Sequence, residues 1–474
     1  MKKTLLTCLS VICLTTFMNA QTTFVAKQII NGSTGNNPYT LATGDIDGDT
    51  YADIIVGTDV DNTLIWYKNN GVEPFTFTAQ TPVTNTLLTG IGGLQLVDLN
   101  GDTFLDILGT GYSSDNVVWY SNNGSGVFTE QPAIGTVSGA SGLATGTIDA
   151  GGTIDVAVTA YDGGSVVWFS NDGSGNFSGP TTIDNTLSFP GSIQLKNLSE
   201  PAPGPLDAVI STATASGNVD VVEIFRNDGA GNFTKDGTSV TTGKNYIFNA
   251  SFEDLDGDAF LDILVTEVET SPGAGALYWI EEDGVGGYTE TVISTTIANP
   301  AVAQHVDLDD DGDNDIVLSS GTHTDPGAGD LVWFINDGSG SQNPYGPQVI
   351  IDDSQRQAFV FSAVDFDNDG DLDIAQCAYA DDDLSWFENL KYNTLNIESS
   401  NLTSISIYPN PTSNVLNFKG LNSDFTVSIY DILGKKILQA DLNVDQVLDV
   451  SHMASGVYIL TLNDQKKTFK FVKE

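Results

Sequence analysis

Cysteine is scarce in this chain: three occur in 474 residues, and two of them fall within the first twenty. Residues 1–20 have the pattern of a signal peptide, because two lysines precede an apolar run that ends near a small residue, Ala20. The apolar run is too short for a membrane-spanning helix. Cleavage after Ala20 leaves Cys377 as the one thiol. This excludes an internal disulfide and favours metal ions as the means of stabilising loops in an exported protein.

Basic residues are also few. Seventeen Lys and Arg stand against 62 Asp and Glu, so the formal net charge is −45, or −47 once the two lysines of the signal peptide are removed. The part from residue 405 onward contains equal numbers of acidic and basic residues, so the whole excess lies in residues 21–404. This charge argues against nucleic acids and anionic membranes as partners, since both bind to clustered Lys and Arg.

Histidine and arginine, which many catalytic sites use, are rarer still. Two arginines are too few for the triple-arginine clamp of a sialidase. Of the three histidines, His305 lies in an apolar strand pattern, which is more typical of a packed side chain than of a catalytic one. A pair of carboxylates for glycoside hydrolysis remains open, because aspartate is abundant and such a pair is defined by distance.

A convincing helical period is absent from residues 21–393. A short acidic loop recurs there instead, and its fullest copy is VDFDNDGDLDIA, residues 364–375. Aspartates stand at positions 1, 3, 5 and 9 of this loop, and Gly370 stands at position 6. Alternate carboxylates on a tight turn can face one hard cation, and Ca²⁺ takes about 6–8 oxygen ligands. An EF-hand would have Glu at position 12, whereas this loop has Gln376 and continues as an apolar strand.

Five copies keep this register, and the sequence predicts that they bind Ca²⁺. The predicted ligands are Asp45, Asp47, Asp49 and Asp53; Asp98, Asn100, Asp102 and Asp106; Asp254, Asp256, Asp258 and Asp262; Asp307, Asp309, Asp311 and Asp315; and Asp365, Asp367, Asp369 and Asp373. Three copies place Gly at position 4 instead of position 6, which leaves their turn geometry open. Two eroded copies keep only Asp149 and Asp155, or only Asp207, and metal binding there is also open.

Each acidic loop is followed by an apolar strand and then by an aromatic strand such as VVWYSNN. All six tryptophans occupy one equivalent position, at Trp66, Trp119, Trp168, Trp279, Trp333 and Trp386. Their spacing gives a repeat of about 53 residues. Asn-Gly or Asp-Gly turns after the aromatic strand predict a fourth strand. The tryptophans are expected to lie in the core between packed sheets.

Seven such repeats predict an all-β fold, a seven-bladed β-propeller. The seventh repeat ends at Asn389 without a fourth strand, and an unassigned strand, residues 22–30, precedes the first repeat. This N-terminal strand is predicted to complete the last blade and so remove an open sheet edge. The acidic loops together with the W-[YF]-x-N-[ND]-G strands resemble FG-GAP or VCBS repeats over residues 21–393. That resemblance implies the propeller of the integrin α-subunit head and of some fungal lectins, but no particular ligand.

Residues 394–404 are polar and predict a linker. Residues 405–474 read as a small β-sandwich and resemble the type A sorting domain of the type IX secretion system, through Tyr408-Pro409-Asn410-Pro411, Ser455-Gly456-Val457-Tyr458 and a basic final strand. The resemblance implies export by the type IX secretion machinery, followed by release or attachment to the cell surface. The alternative is an ordinary immunoglobulin-like module.

The face opposite the acidic loops offers a candidate ligand site. The loops between second and third strands carry Tyr112, Asp115, Tyr161, Asp162, His323, Tyr379 and Asp381. Tyrosine can stack on a sugar and aspartate can accept its hydroxyl hydrogen bonds, although ordinary turn chemistry explains each residue singly. The prediction is a secreted or surface-attached, non-catalytic calcium-binding protein that binds a glycan or an extracellular protein. A neutral or weakly charged glycan is favoured, because a chain of −47 repels a polyanion. The alternative is a polysaccharide-degrading lyase or glycoside hydrolase on a propeller scaffold.

Overall fold

The computed structural model describes residues 24–34, 37–198, 204–213, 220–237, 240, 244, 246–258, 260–268, 275–282, 287–321, 328–339, 344–390, 406–419, 425–431, 435–442, 447–462 and 467–474. It contains two compact units, Met1–Lys391 and Tyr392–Glu474, here called the repeat unit and the C-terminal unit. The predicted signal peptide, the predicted linker and His323 lie outside the described residues. Among the described residues, no helix has the length and apolar character needed to cross a membrane.

Every regular element of the described repeat unit is a β-strand. The strands are β1 (Gln28–Asn31), β2 (Pro38–Gly44), β3 (Asp53–Thr58), β4 (Leu64–Asn69), β5 (Phe77–Ala79), β6 (Ile91–Val97), β7 (Asp106–Gly111), β8 (Asn116–Asn122), β9 (Phe128–Glu130), β10 (Gly135–Thr136), β11 (Ala140–Gly146), β12 (Asp155–Ala160), β13 (Ser165–Asn171), β14 (Phe177–Asp184), β15 (Pro190–Lys196), β16 (Asp207–Thr212), β17 (Val222–Asn227), β18 (Phe233–Lys235), β19 (Ile247–Glu253), β20 (Asp262–Val268), β21 (Gly275–Glu282), β22 (Tyr288–Ser294), β23 (Pro300–Val306), β24 (Asp315–Ser320), β25 (Ala328–Phe334), β26 (Val349–Arg356), β27 (Val360–Val364), β28 (Asp373–Ala378) and β29 (Asp383–Phe387).

These strands form seven antiparallel sheets in the described part of the repeat unit, and all but one have four strands. The first sheet has the order β2–β3–β4–β5, and the others follow the same course along the chain. Second strands such as β3, with the sequence DIIVGT, are buried along their whole length, as a continuous apolar run covered on both faces should be. The all-β prediction is confirmed, and the architecture is propeller-like.

The first strands of the seven sheets are β2, β6, β11, β15, β19, β23 and β27. Each contacts the first strand of the next sheet, and β27 contacts β2. The N-terminal strand β1 pairs with β29, with Gln28 opposite Trp386 and Ile29 opposite Ser385. It therefore supplies the fourth strand of the last sheet, as the sequence predicts, although the regular strand covers Gln28–Asn31 and only an isolated bridge forms at Phe24.

The core of the repeat unit is divided into seven apolar clusters, each between two neighbouring sheets. One cluster joins the last sheet to the first through Trp386, Phe366 and Val56. All six tryptophans are buried, as predicted. Gly126, in the turn after the third strand, has a φ of 71° and lies so close to Trp66 of the preceding sheet that a Cβ atom would overlap the indole ring. The glycine of the Asn-Gly-Ser-Gly turn is thus required by sheet packing as well as by the turn.

The C-terminal unit is a separate pair of antiparallel sheets. Its strands are β30 (Ser406–Tyr408), β31 (Val415–Lys419), β32 (Phe425–Asp431), β33 (Lys436–Leu442), β34 (Leu448–Asp449), β35 (Gly456–Leu462) and β36 (Lys467–Lys473). The sheet orders are β30–β31–β34 and β33–β32–β35–β36. One apolar core that includes Leu416, Ile429 and Phe471 is buried in this unit.

Candidate functional site: acidic loops and an opposite aromatic face

The acidic loops and the candidate ligand residues lie at opposite ends of the sheets. In the first sheet, Gly44 pairs with Asp53 next to the acidic loop, and Pro38 pairs with Thr58 at the other end. The same antiparallel pairing of first and second strands recurs in all seven sheets. A residue that acts in one set of loops is therefore separated by a strand length from the other set.

Two backbone positions of the acidic loop have positive φ, whichever residue occupies them. Position 4 is Gly48 in the first loop (φ 79°) and Asn368 in the last (φ 60°), while position 6 is Thr50 (φ 77°) and Gly370 (φ 101°) in the same loops. Position 6 donates its backbone N–H to the first aspartate, as Thr50 does to Asp45 Oδ2 at 2.8 Å. The copies that begin at Asp45 and Asp98 thus form the same turn as the others, with threonine at position 6 in the left-handed region. Position 6 of the copy that begins at Asp254 lies outside the described residues.

Carboxylates converge in four of the loops. Their candidate ligand oxygens all lie within 4.8 Å of one another in the groups Asp45, Asp47 and Asp53; Asp254, Asp256 and Asp262; Asp307, Asp309 and Asp311; and Asp365, Asp367 and Asp373. The loop with Asn100, which has one carboxylate fewer, is not among the groups found in the described residues, and neither are the two eroded loops.

Several buried carboxylate oxygens of these loops fit a hard cation. Asp47 Oδ1, Asp365 Oδ1 and Asp369 Oδ2 are buried and have no hydrogen-bond partner among the described residues. An ionised oxygen without a partner is costly to bury, whereas a Ca²⁺ ion is coordinated by such oxygens. The donor set, made of aspartate oxygens alone, is typical of Ca²⁺ rather than of a softer metal.

The aspartate at position 9 has a structural role that sequence reasoning missed. Asp53 is fully buried and accepts the backbone N–H of Ile46 at 3.2 Å and of Asn69 at 2.7 Å. The same residue is buried in all seven repeats, at Asp53, Asp106, Asp155, Asp207, Asp262, Asp315 and Asp373. Burial raises its pKa, to about 7 for Asp53 and about 9 for Asp373. Its presence in the eroded repeats, where the other carboxylates are lost, is the signal that could have revealed this role.

The asparagine that ends the third strand links neighbouring repeats. Asn69 Nδ2 donates to the carbonyl of Phe366, in the acidic loop of the seventh repeat, at 2.7 Å. Asn122 Nδ2 donates in the same way to Ile46 of the first repeat at 2.8 Å. Because the acceptor is the second residue of the preceding loop, five of the seven loops are tied in this way to the next sheet along the chain in the described residues.

Replacing Asp155 with Asn tests the structural role without disturbing a complete acidic loop. Asp155 accepts the N–H groups of Ile148 and Asn171 at 2.9 Å each, and an amide nitrogen cannot replace the second acceptor. We expect the free energy of unfolding to fall by about 1–3 kcal/mol. The loss, measured by urea denaturation, should be equal in EDTA and in calcium. A loss that calcium removes would show that Asp155 is a metal ligand.

On the opposite face, the structure brings some of the predicted ligand residues together. Tyr112 Oη donates to Asp162 Oδ1 at 3.0 Å, and the rings of Tyr112 and Tyr161 lie 6.1 Å apart between centroids. Asp115 instead accepts the backbone N–H of Gly139 at 2.7 Å. Its carboxylate therefore stabilises a turn.

Tyr379 and Asp381 lie in a different part of this face. Tyr379 Oη donates to Asp59 Oδ2 at 3.3 Å. Asp381 is engaged by Arg356, whose Nε donates to Oδ1 at 2.6 Å. Tyr379 packs with Tyr39 and Phe359, with centroid distances of 6.1 and 6.0 Å.

Tyr39 of the first repeat lies near tyrosines of the third, fifth and seventh repeats. Burial raises the pKa of Tyr39, and the neighbouring Tyr246, Asp59, Tyr379 and Tyr161 raise it further. These groups come from repeats one, three, five and seven, so the ends of the first strands and the adjoining loops form one aromatic and acidic surface.

Phe189 is a member of this surface that sequence reasoning missed. It directly precedes the first strand of the fourth repeat, and its ring lies 5.2 Å from that of Tyr161. Its side chain is 42% exposed. Tyr112, Tyr161 and Phe189, from loops of neighbouring repeats, are here called the aromatic platform. Alignment of the repeats could have revealed Phe189, because Gly90 and Gly139 occupy its position in the second and third repeats.

That position has positive φ in every repeat. The residues and angles are Asn37 (64°), Gly90 (62°), Gly139 (65°), Phe189 (52°), Tyr246 (49°), Asn299 (51°) and Gln357 (53°). Each carbonyl accepts a backbone N–H from the segment after the second strand, as Phe189 does from Ala213 at 2.9 Å. The turn is therefore a property of the fold, while the identity of its side chain varies.

His305 is half-buried in this structure. Its Nε2 lies 3.3 Å from Tyr345 Oη, and burial lowers the pKa of His305 to about 4. The imidazole is therefore neutral at pH 7.

Comparison with known proteins agrees with the repeats and the C-terminal unit. A family model of FG-GAP-like repeats matches residues 45–109, 98–158 and 307–375. A model of secretion system C-terminal sorting domains matches residues 406–474. The FG-GAP and sorting-domain resemblances are thus confirmed, and the resemblance to VCBS repeats stays a prediction.

Among solved structures, AofleA from Arthrobotrys oligospora matches at 11% identity with a TM-score of 0.41. A triple arginine-to-alanine mutant of the same protein matches at 11% identity with a TM-score of 0.44. Both matches cover 69% of this chain and 90% of the other. The search of curated proteins found no match.

Proposed function

We propose that this protein, a chain of FG-GAP-like repeats that ends in a secretion system C-terminal sorting domain, is a non-catalytic binding protein that holds a neutral glycan on its aromatic platform. The sorting domain indicates secretion or surface attachment through the type IX secretion system. Residues 1–20 act as the signal peptide in this proposal. The domains run over residues 21–393 and 405–474.

The acidic loops bind Ca²⁺ in this proposal, and the ion neutralises carboxylates that otherwise repel one another. Asp45, Asp47, Asp365 and Asp367 supply ligand oxygens in the first and last loops. Asp45 and Asp365 also accept backbone N–H groups, so ion binding and turn formation support each other. The role of Ca²⁺ is structural, because the loops lie at the end of the sheets away from the platform.

The observation that carries the ligand proposal is the backbone conformation of Phe189. A residue with a side chain in the left-handed region costs about 1–2 kcal/mol, and bulky residues adopt it rarely. Gly90 and Gly139 make the same turn without that cost. Of the two aromatic residues that make this turn, Phe189 is exposed and Tyr246 is not, and contact with a ligand explains the exposed ring of Phe189.

The chemistry of the platform favours a sugar. Flat aromatic rings stack on the apolar face of a sugar ring, and the carboxylate of Asp162 accepts hydrogen bonds from hydroxyl groups. The platform belongs to a unit that carries the whole negative excess of the chain, so a polyanion is repelled. The proposed ligand is therefore an uncharged oligosaccharide.

Replacing Phe189 with Asn should remove the stacking surface and keep the turn, because Asn tolerates positive φ. We expect binding to neutral hexasaccharides of glucose, xylose or mannose to weaken at least tenfold in calorimetry, with little change in melting temperature. The matched control is Asn299→Gly, which changes the same turn position in the sixth repeat and should leave binding unchanged.

Three outcomes contradict the glycan proposal. Unchanged affinity in Phe189→Asn places the ligand elsewhere. Binding that is lost on adding sodium chloride indicates ionic capture instead of stacking. Release of shorter sugars from the bound oligosaccharide, detected by chromatography, shows that the protein is an enzyme.

A further inference from the structure

One position of the third strand faces the acidic loop of its own repeat. It lies two residues after the tryptophan, or after Ile224 in the fourth repeat, and is here called the loop-facing position. Its occupants are Lys68, Ser121, Ser170, Arg226, Glu281, Ile335 and Glu388. Ser170 Oγ donates to Asp149 Oδ2 at 3.2 Å, and Lys68 and Arg226 also donate to carboxylates at the loops of their own repeats. The side chain at this position can therefore act directly on the loop.

In the first repeat, the occupant is a cation held by two predicted calcium ligands. Lys68 Nζ donates to Asp47 Oδ2, and also to Asp49 Oδ2 at 2.9 Å. The ammonium group thus occupies part of the space toward which the carboxylates of this loop turn. A calcium ion that enters the loop must compete with Lys68 for Asp47 and is repelled by its charge.

In the fourth repeat, an arginine stands where the acidic loop is eroded. Arg226 Nη1 donates to the carbonyl of Leu198 and to Asp207 Oδ2, each at 3.1 Å. Its Nε donates to Asp236 Oδ2 at 2.6 Å. Leu198 is the second residue of the loop, and Asp207 is the buried aspartate that follows it. The guanidinium therefore links the two ends of this loop.

The last repeat has the opposite arrangement. Glu388 adds a carboxylate near a loop that already contains Asp365, Asp367, Asp369 and Asp371. Its charge makes the metal-free loop less favourable and a cation more favourable. Loops of one chain thus differ in the sign of the charge at the same strand position.

We infer that Lys68 and Arg226 are internal counter-ions that set the calcium requirement of individual loops. The fourth loop is closed by Arg226 and takes no calcium. The first loop is held by Lys68 in the absence of calcium and binds the ion more weakly than the last loop. This inference rests on the proposed calcium binding, and the Arg226 part also applies without it.

The test is calcium titration calorimetry and thermal unfolding of the full mature chain, with calcium chloride as the probe. Lys68→Gln should raise the affinity of one calcium site about tenfold and lower the melting temperature in EDTA. The increase in melting temperature on adding calcium should be larger in this variant than in the parent protein. Arg226→Gln should lower the melting temperature equally in EDTA and calcium, with unchanged stoichiometry. Arg226→Lys keeps the positive charge, so its melting temperature should fall less than that of Arg226→Gln. Lys235→Gln, which removes a lysine paired with Glu223 at 2.8 Å, is the matched control.

Several results overturn the inference. A calcium titration of Lys68→Gln that equals that of Lys235→Gln removes the role of Lys68. An extra equivalent of calcium in Arg226→Gln, or rescue of its stability by calcium, shows that the fourth loop is a metal site. If the parent protein does not respond to calcium at all, the proposed calcium binding fails. The counter-ion role of Arg226 is then decided by the melting temperature of Arg226→Gln in EDTA alone. A melting temperature equal to that of the parent protein rejects this role.

Discussion

Chelation of calcium should lower the melting temperature of the mature protein by an amount on the order of 10 °C. Each site saturated at about 100 times its dissociation constant contributes about 2.7 kcal/mol to the folded state. Four groups of converging carboxylates make several such contributions available. Cys377, the one cysteine among the described residues, is free and offers no disulfide to replace them. The measurement is thermal unfolding by circular dichroism in EDTA and in millimolar calcium. An unchanged melting temperature would show that the loops have no structural metal.

The pH dependence in EDTA provides an independent check. Burial raises the folded-state pKa of Asp53, Asp262 and Asp315 to about 7, above the value of about 3.9 in the unfolded chain. A raised folded-state pKa stabilises the protein at low pH, and this contribution is lost as the pH rises through about 7. The metal-free protein should therefore melt lower at pH 8 than at pH 5.5. Calcium should reduce this difference, because it binds the ionised carboxylates.

Deleting residues 21–31 should open the ring of sheets. This segment contributes β1, which pairs with β29, and Val25 donates its backbone N–H to the carbonyl of Glu388 at 2.8 Å. Ile30 packs against the cluster between the last and first sheets. Its loss exposes the backbone edge of β29, and an unpaired edge invites association with other chains. We expect soluble oligomers or aggregates in light scattering and a large fall in melting temperature.

The matched control for the deletion is Ile29→Ser. The Ile29 side chain is 56% exposed, so its replacement keeps the backbone pairing and should change little. A deletion variant that stays monomeric and melts like the parent would show that the N-terminal strand does not close the repeat unit.

The sequence is sufficient to predict the elements that depend on local patterns. Aspartate at alternate positions predicts the acidic loops, and the unpaired strand before the first repeat predicts the partner of β29. Both follow from spacing along the chain, since a strand alternates with a period of two and the repeats share one length. The burial of Trp66 and Trp386 follows in the same way, because an aromatic residue at one repeated position packs between repeated sheets.

The roles of individual side chains were harder to predict, because they depend on contacts between distant parts of the chain. Asp53 resembles a calcium ligand in spacing, yet its hydrogen bonds to Ile46 and Asn69 depend on the pairing of second and third strands. Lys68 reaches Asp47 only because the third strand brings it beside the loop. Phe189 has no signature of its own, since positive φ at its position becomes visible only when the seven turns are compared.

The central claim is that the acidic loops and the proposed ligand face act separately, and a glycan array probed with the mature protein tests it most directly. The array should contain neutral and anionic oligosaccharides and be probed in calcium, in calcium with added sodium chloride, and at low temperature in EDTA. The added salt should be about 0.5 M, roughly five times the concentration at which the Debye length is about 10 Å. The account predicts binding to neutral glycans that survives salt and, while the protein remains folded, survives EDTA. Binding confined to anionic glycans, suppressed by salt or dependent on calcium in the folded protein, would contradict it.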